Sequence, residues 1–437
     1  MKLPEKVQYI ITQLEKASYE GYAVGGCVRD TLLNRDPDDW DITTSATPMQ
    51  VKQVFSRTVD TGIAHGTVTV LLQGEGFEVT TYRIDGEYED SRHPKEVVFT
   101  SNLIEDLKRR DFTINAMAYN DRTGIVDAFH GIEDLEKNII RCVGNPEERF
   151  TEDALRMMRA VRFSAQLGYT IEPATEAAIV KLAPSISKIS AERVCIELVK
   201  LVVSKHPEKL ETAYETGITR VVLPEFDQIM QVEQNNPHHC YSVGEHTLVA
   251  MKRCRADKVL RLTMLFHDMG KALTRTTDES GIDHFHGHSM KSFEITTAVM
   301  KRLKFDNDTI GKVSRLVKYH DLKIVRTPAA VRKAIVLLGE KLFPLLLEVK
   351  EADFNAQSDY MRQEKEEELE QLRNLYQDVV RAQDCVSLKN LAVTGSDLIL
   401  AGMKPGKGIG ELLAKMLEEV LEEPSKNNRD YLMQLVP

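Results

Sequence analysis

The sequence predicts an α+β chain, with a mixed α/β head over residues 1–140 and helices from there to the end. Three observations predict it. Strand-like runs crowd into the first third: Tyr22-Ala23-Val24, VTVLLQ at 68–73 and FEVTTYRI at 77–84. The last two are joined by Gly74-Glu75-Gly76, a hairpin signal. From Thr151 onward apolar residues recur at helical spacing, broken by Pro224, Pro237, Pro328 and Pro424.

The elements follow in order. MKLPEKVQYIITQLEKASYEGY mixes Lys and Glu with apolar residues at helical spacing, an amphipathic helix and not a signal peptide. Val28 to Leu33 reads as the first turns of a helix. DGEYEDSRHPKE, residues 85–96, has turn formers and mixed charge and is expected to be a flexible loop. A helix over 151–167 carries Leu155, Met158, Val161 and Leu167 as an apolar stripe, and Gly168 ends it. ISAERVCIELVKLVV, 189–203, is an amphipathic helix opened by Ser190, and the run EKEEELE at 364–370 reads as a solvated helix face.

Bulk properties narrow the classes. A chain of 437 residues has room for several domains. No apolar run is long enough to span a bilayer. Cys27, Cys142, Cys195, Cys240, Cys254 and Cys385 are scattered without a Cys-x-x-Cys pair, which suits reduced thiols in the cytoplasm. A net charge of −10 excludes a general basic footprint for nucleic acid. Lys108-Arg109-Arg110 and the trio Arg156, Arg159 and Arg162 still allow a local basic groove for RNA.

The chemistry concentrates in GGCVRDTLLNRDPDDWDITTS, 25–45. If Asp39 and Asp41 lie in a strand they share a face, with Trp40 and Ile42 pointing into the core. Two such carboxylates repel, and a Mg²⁺ ion removes the conflict. A solvated Asp-rich turn is the competing reading. Upstream, Gly25-Gly26 lets a ligand approach the backbone, and Arg29 adds a forked donor beside a helix N-terminus, a seat for a triphosphate. Glu78 is a candidate third carboxylate, with a salt-bridged surface role as the alternative. In RRDFTINAMAY, 109–119, Arg110 is a phosphate or base contact, or else part of a helix opening on an Arg-Asp pair. On the helix 151–167, Asp153, Arg156 and Arg159 stack at i, i+3 and i+6. One acceptor and a fork of donors can satisfy the Watson–Crick edge of a base, although an ordinary ion pair looks the same in sequence.

GGCVRD, DDWDI, RRDFTINAMAY and EDALRMMRAVRF, in this order and spacing, resemble the bacterial class II tRNA nucleotidyltransferases, the CCA-adding family related to DNA polymerase β. The resemblance covers nearly the whole chain. It implies a polymerase-β-like nucleotidyltransferase head followed by all-α neck, HD/body and tail domains, at 1–140, 141–225, 226–350 and 351–437. It implies Mg²⁺ on Asp39 and Asp41, the triphosphate on Gly26 and Arg29, and the nucleotide on Arg110, Asp153, Arg156, Arg159 and Arg162. CTP and ATP are the implied substrates and the tRNA acceptor end the implied partner, with no membrane and no protein partner. ISAERVCIELVKL resembles the neck helix and residues 391–421 the tail.

A second constellation runs through 238–321: His246, His267-Asp268, His288 and His320-Asp321. A buried His-Asp pair can be a satisfied core pair, but histidines repeated in this order favour metal. The order resembles the HD phosphohydrolase superfamily, which implies a divalent ion (Mn, Ni, Fe or Mg) on His246, His267, Asp268 and Asp321, with His288 and His320 as extra ligands of a two-metal version.

Rivals remain. TGIAHGTVTV, 61–70, stands where bacterial poly(A) polymerases carry a Gly-Arg-Arg-Phe type signature. By the same resemblance CC-only enzymes lack much of the loop after the third strand; the full-length YRIDGEYEDSRHPKE argues against that reading, and A-only addition stays open. A chain that is chiefly an HD phosphohydrolase with a decayed transferase half is the reading from another class. Intact Asp39, Asp41, Asp153 and Arg156 speak against it.

Overall fold

The computed structural model describes residues 1–86 and 97–437. The expected loop DGEYEDSRHPKE therefore lies, from position 87 on, outside the described residues. The chain divides into two compact units, Met1–Pro224 and Glu225–Pro437.

The first unit is built on a seven-stranded sheet. Its strands are β1 (Gly21–Val24), β2 (Ile42–Thr44), β3 (Thr58–Gly62), β4 (Thr67–Leu72), β5 (Glu75–Thr81), β6 (Ala118–Asn120) and β7 (Gly124–Val126). They lie in the order β3-β4-β5-β2-β1-β6-β7. Only β2 and β5 pair in parallel, with Ile42 opposite Val79 and Thr43 opposite Thr80. The β4–β5 hairpin turns on Gln73 and Gly74, both at positive φ, 51° and 85°. That geometry gives a two-residue turn the twist of its strands. β5 consequently starts at Glu75, inside the expected Gly-Glu-Gly connection.

Helix α1 (Glu5–Lys16) buries Val7, Ile10, Ile11 and Leu14 on one side. α2 (Gly26–Leu32) follows β1 directly, and α3 (Leu103–Lys108) is capped by the Asn102 side chain, which accepts from the Ile104 N–H. The helix expected over 151–167 is two helices, α4 (Pro146–Glu152) and α5 (Leu155–Leu167). The break is local chemistry. Asp153 is extended, at φ −142° and ψ 102°, and its carboxylate accepts from the Leu155 N–H at 3.1 Å, so it caps α5 instead of lying within it. Gly168 ends α5 at φ 78°. The buried stripe of α5 packs on α6 (Ala191–Val202), whose own buried side is Val194, Leu198, Leu201 and Val202. Ser190 precedes α6 but makes no side-chain cap bond.

The second unit is helical apart from a short ladder between Thr276–Thr277 and Asp283–His284. The helices that matter here are α7 (Val243–Arg253), α8 (Lys258–Phe266), α9 (His288–Arg302), α10 (Asn307–Tyr319) and α11 (Phe343–Phe354). Leu316, Val331, Ile335, Leu338, Phe343 and Leu346 belong to one core, and Val393, Leu398, Met416, Val420 and Leu432 to another nearer the C-terminus. Among the described residues no helix is long and apolar enough to cross a membrane.

Candidate active site

The paired aspartates do not lie inside a strand. β2 begins at Ile42, so Asp39 and Asp41 stand in the segment that enters it. The Asp41 carbonyl accepts from the Val24 N–H at 3.0 Å, which carries the β1 pairing only as far as Asp41. Ile42 is buried as expected, but Trp40 is only half-buried, because no pleat is imposed that early. The Asp41 carboxyl is raised above its ordinary value: partial desolvation raises it, Arg110 lowers it, and Asp39 raises it again. Both aspartates reach solvent at their surface, yet the protein around Asp41 makes desolvation the largest of these effects. Continuing the β2–β5 register back one step sets the exposed Glu78 beside Asp41.

The glycine turn is shaped around an arginine. Gly25 has φ +81°, and a Cβ there would lie 2.8 Å from Nη1 of Arg110. Arg109 takes one oxygen of the buried Asp106 at 2.8 Å, and Arg110 reaches the other only at 3.7 Å. The buried Nε of Arg110 has no hydrogen-bond partner among the described residues. Arg29 is different. It is buried, forms a bidentate pair with Asp30 at 2.9 and 2.8 Å, and donates to Oδ1 of Asn115 at 2.6 Å. It braces the turn under Gly26, and its fork is not free as the sequence suggested.

The α5 arginines are also committed. Both oxygens of Asp153 are held by Arg193 of α6. Arg156 donates to Glu152 at 2.6 Å and to the Arg109 carbonyl at 3.0 Å. Arg159 binds Asp111, and its guanidinium keeps that carboxyl well below the carboxylate range although burial would raise it. Arg162 is buried against Glu197 at 2.5 Å. The guanidiniums of Arg29, Arg159 and Arg162 stand 5.0, 5.4 and 3.8 Å from the ring of Phe163. Sequence reasoning gave no site role to Asp111, Asn115, Arg193 or Glu197, although the first two stand in RRDFTINAMAY and the last two in ISAERVCIELVKLVV, both segments already singled out.

The second unit gathers its own polar cluster. His246 comes from α7, His267-Asp268 follow α8, His288 opens α9, and His320 ends α10. Their ligand atoms form two groups within 4.8 Å, His246-His267-Asp268 and Asp268-His288-His320. Asp321 is in neither. It is exposed, and it lines the same cavity as Asp268, His288, His320 and Asp353. Asp353 of α11 takes the place expected for Asp321, with Oδ1 at 3.0 Å from Nε2 of His246. Its signal in the sequence was a lone acid on the buried stripe of Leu346 and Val349.

The mixed sheet, the aspartates at the mouth of β2, and the glycine turn under a spare arginine define a polymerase-β-like nucleotidyltransferase head. Family models agree. Residues 21–141 match the poly A polymerase head domain, and 288–436 match tRNA nucleotidyltransferase domain 2. The chain belongs to the CCA-adding enzyme family. A CCA-adding enzyme of Limosilactobacillus reuteri is 35% identical over 433 residues, 99% of this chain and 96% of that one. One of Lactobacillus johnsonii is 53% identical over 214 residues, 49% of this chain and 54% of its own length, so the chain spans about half the length of the curated relatives matched at that level. The solved Bacillus stearothermophilus CCA-adding enzyme in complex with CTP superimposes with a TM-score of 0.75 at 30% identity, over 99% of this chain and 98% of that one.

Proposed function

We propose that this chain completes the 3′ end of tRNA, adding C, C and A in turn from CTP and ATP without a template and releasing pyrophosphate. The observation that carries the reading is Arg110, a buried guanidinium with a spare N–H, pressed against Gly25 and close enough to Asp41 to lower its carboxyl. With only a long ion pair to Asp106 and one N–H unspent, it can take a further anion. The Gly25-Gly26 turn and Arg110 seat the triphosphate, and Arg29 adds positive charge from beneath. Asp153 and Arg156 read the base edge, with Arg159 and Arg162 setting the pitch of α5.

In the reaction the terminal 3′-oxygen of tRNA attacks the α-phosphorus. The bond from that phosphorus to the bridging oxygen breaks, and pyrophosphate leaves. Asp39 and Asp41, with Glu78 beside them, are an all-oxygen donor set that fits Mg²⁺, and their mutual repulsion is the conflict a cation resolves. When bound, the ion acidifies the 3′-hydroxyl and neutralises charge building on the phosphate. The neck (141–225), body (226–350) and tail (351–437) hold the acceptor end. The enzyme works in the cytoplasm, where its nucleotides and tRNA are.

The test uses labelled tRNA transcripts ending before CCA, after C and after CC, each with CTP, ATP or both. Growth to CCA followed by a stop is expected. Growth by A alone on the CC-ending transcript means an A-adding specialist, and a long ladder with ATP a poly(A) polymerase. Full activity in an Asp39→Ala/Asp41→Ala double variant would sink the site assignment.

A second reading attaches to the second unit. The convergence of four imidazoles and two carboxylates supports a divalent-metal site with His246, His267, Asp268 and Asp353 as ligands, and His288 and His320 beside them. Mixed imidazole and carboxylate donors suit Mn, Fe, Ni or Mg.

A further inference from the structure

We propose that Asp106 and Arg109 are positioning residues for the triphosphate: Arg109 occupies the Asp106 carboxylate, and Arg110 thereby keeps an unspent positive charge for the nucleotide. The proposal rests on the reading of Arg110 as the triphosphate contact and goes beyond it in saying what keeps that arginine available.

Two cations compete here for one anion. Asp106 lies on α3 and is fully buried, where a bare carboxylate must be paired. Its Oδ1 accepts from Nε of Arg109 at 3.0 Å, from Nη2 of Arg109 at 2.8 Å and from the Arg83 N–H at 3.3 Å. Its Oδ2 accepts from the Thr43 hydroxyl at 3.2 Å. Arg110 comes only to 3.7 Å from Oδ2, beyond hydrogen-bond reach. The two arginines are neighbours in sequence, yet one holds the carboxylate with two N–H groups and the other stops short of it. A charge-assisted pair ordinarily closes to about 2.7–2.9 Å. Arg110 does not close because Arg109 has already neutralised the acid, and because two like charges oppose a closer approach.

The electrostatics agree with the distances. Burial would raise the Asp106 carboxyl, and Arg109 and then Arg110 bring it below its ordinary value. Burial lowers the Arg110 guanidinium from its ordinary value, Asp106 raises it, and Arg109 lowers it again. Asp106 is therefore charged, and with the two arginines it forms a trio of one net positive charge. That surplus stands over the glycine turn, since Nη1 of Arg110 is 2.8 Å from the place of a Gly25 Cβ. The Thr43 hydroxyl ties the same carboxylate to β2, the strand that follows Asp39 and Asp41. One buried acid thus sets Arg110 in register with the strand behind the two aspartates.

The arrangement has a consequence for binding. Without the charge of Arg109 the trio is neutral, and Arg110 becomes the one guanidinium left to a buried carboxylate. It is drawn to hydrogen-bond distance of Asp106 and away from the turn, and the triphosphate loses a charge-assisted contact. Removing the Asp106 charge as well returns the single positive charge to Arg110. Nucleotide affinity therefore follows the net charge of the trio and not the presence of Arg109.

The experiment uses the full chain and measures KM and kcat for CTP and ATP in single-nucleotide addition. It also measures inhibition by inorganic tripolyphosphate, which has neither base nor sugar. Wild type is compared with Arg109→Gln, Arg109→Lys, Arg110→Gln and the double variant Asp106→Asn/Arg109→Gln. In Arg109→Gln, KM for both nucleotides and the tripolyphosphate inhibition constant are expected to rise about tenfold with kcat little changed, the mark of lost uniform binding. The double variant is expected to return both toward wild type, and Arg109→Lys, which keeps the charge, to lie nearer wild type than Arg109→Gln. A rise that the double variant does not reverse makes Arg109 a structural support and overturns the inference. An unchanged KM in Arg109→Gln beside a raised one in Arg110→Gln overturns it too, while the reading of Arg110 stands. Unchanged KM in both overturns that reading as well. Thermal melting follows folding. If Arg109→Gln alone does not fold, the double variant decides: wild-type KM supports the charge account, and a raised KM overturns it.

Discussion

Arg193 holds Asp153 by both carboxylate oxygens, at 2.7 and 3.3 Å. The acceptor proposed to read a base is thus already occupied, and a base must share or displace Arg193. Arg193→Ala is expected to leave Asp153 free to turn and to lower discrimination between CTP and ATP by about 10- to 100-fold, the worth of one good bidentate contact. Single-nucleotide incorporation on transcripts ending in C and CC measures it. An unchanged ratio would mean that Arg193 does not set the reading position.

Gly25→Ala tests the triphosphate seat. The new Cβ would meet Nη1 of Arg110 at 2.8 Å, and φ +81° is unfavourable for alanine. Moving Arg110 removes a charge-assisted contact of about 1.5–3 kcal/mol. KM for both CTP and ATP should rise about tenfold or more, without preference between them. Equal KM values in variant and wild type would show that Arg110 does not touch the nucleotide.

Asp283 gives a pH dependence. Its carboxyl is lowered to about 2 by the Arg275 guanidinium, the Thr277 hydroxyl and the Asn235 N–H, which donate at 2.7–3.1 Å. The folded value lies below the unfolded one of about 3.9, so the stabilisation is full above that pH and is lost as pH falls toward 2. Wild type should melt above Asp283→Asn at pH 6, and the gap should close between about pH 4 and 2. A gap that stays constant through that window would show that the charge on Asp283 does not matter.

Much of the head was legible because its signals are local. Glycine pairs, alternating strands and an Asp-x-Asp each act within a few residues, and β1, β4, β5, α2 and α5 lie close to where those patterns put them. What was not legible depends on partners far along the chain. Asp153 looked like a helix residue paired with Arg156, but its side chain caps α5 and meets Arg193, 40 positions away. Asp321 looked like a metal ligand because it follows His320; it lines the cavity outside the two close groups of ligand atoms, and Asp353 arrives from α11. Arg29 looked free because Asp30 and Asn115 could not be weighed against a triphosphate before the turn was built.

Phe163 has a mechanical consequence. Its ring is touched by Arg29 from the glycine turn and by Arg159 and Arg162 from its own helix, each contact worth about 0.5–2 kcal/mol. Each of the three cations is balanced by a separate carboxylate, Asp30, Asp111 or Glu197. Arg29 of the glycine turn and α5, the helix that Asp153 caps, therefore rest against the same ring. The glycine turn and α5 thus share one phenyl group as a common hinge post.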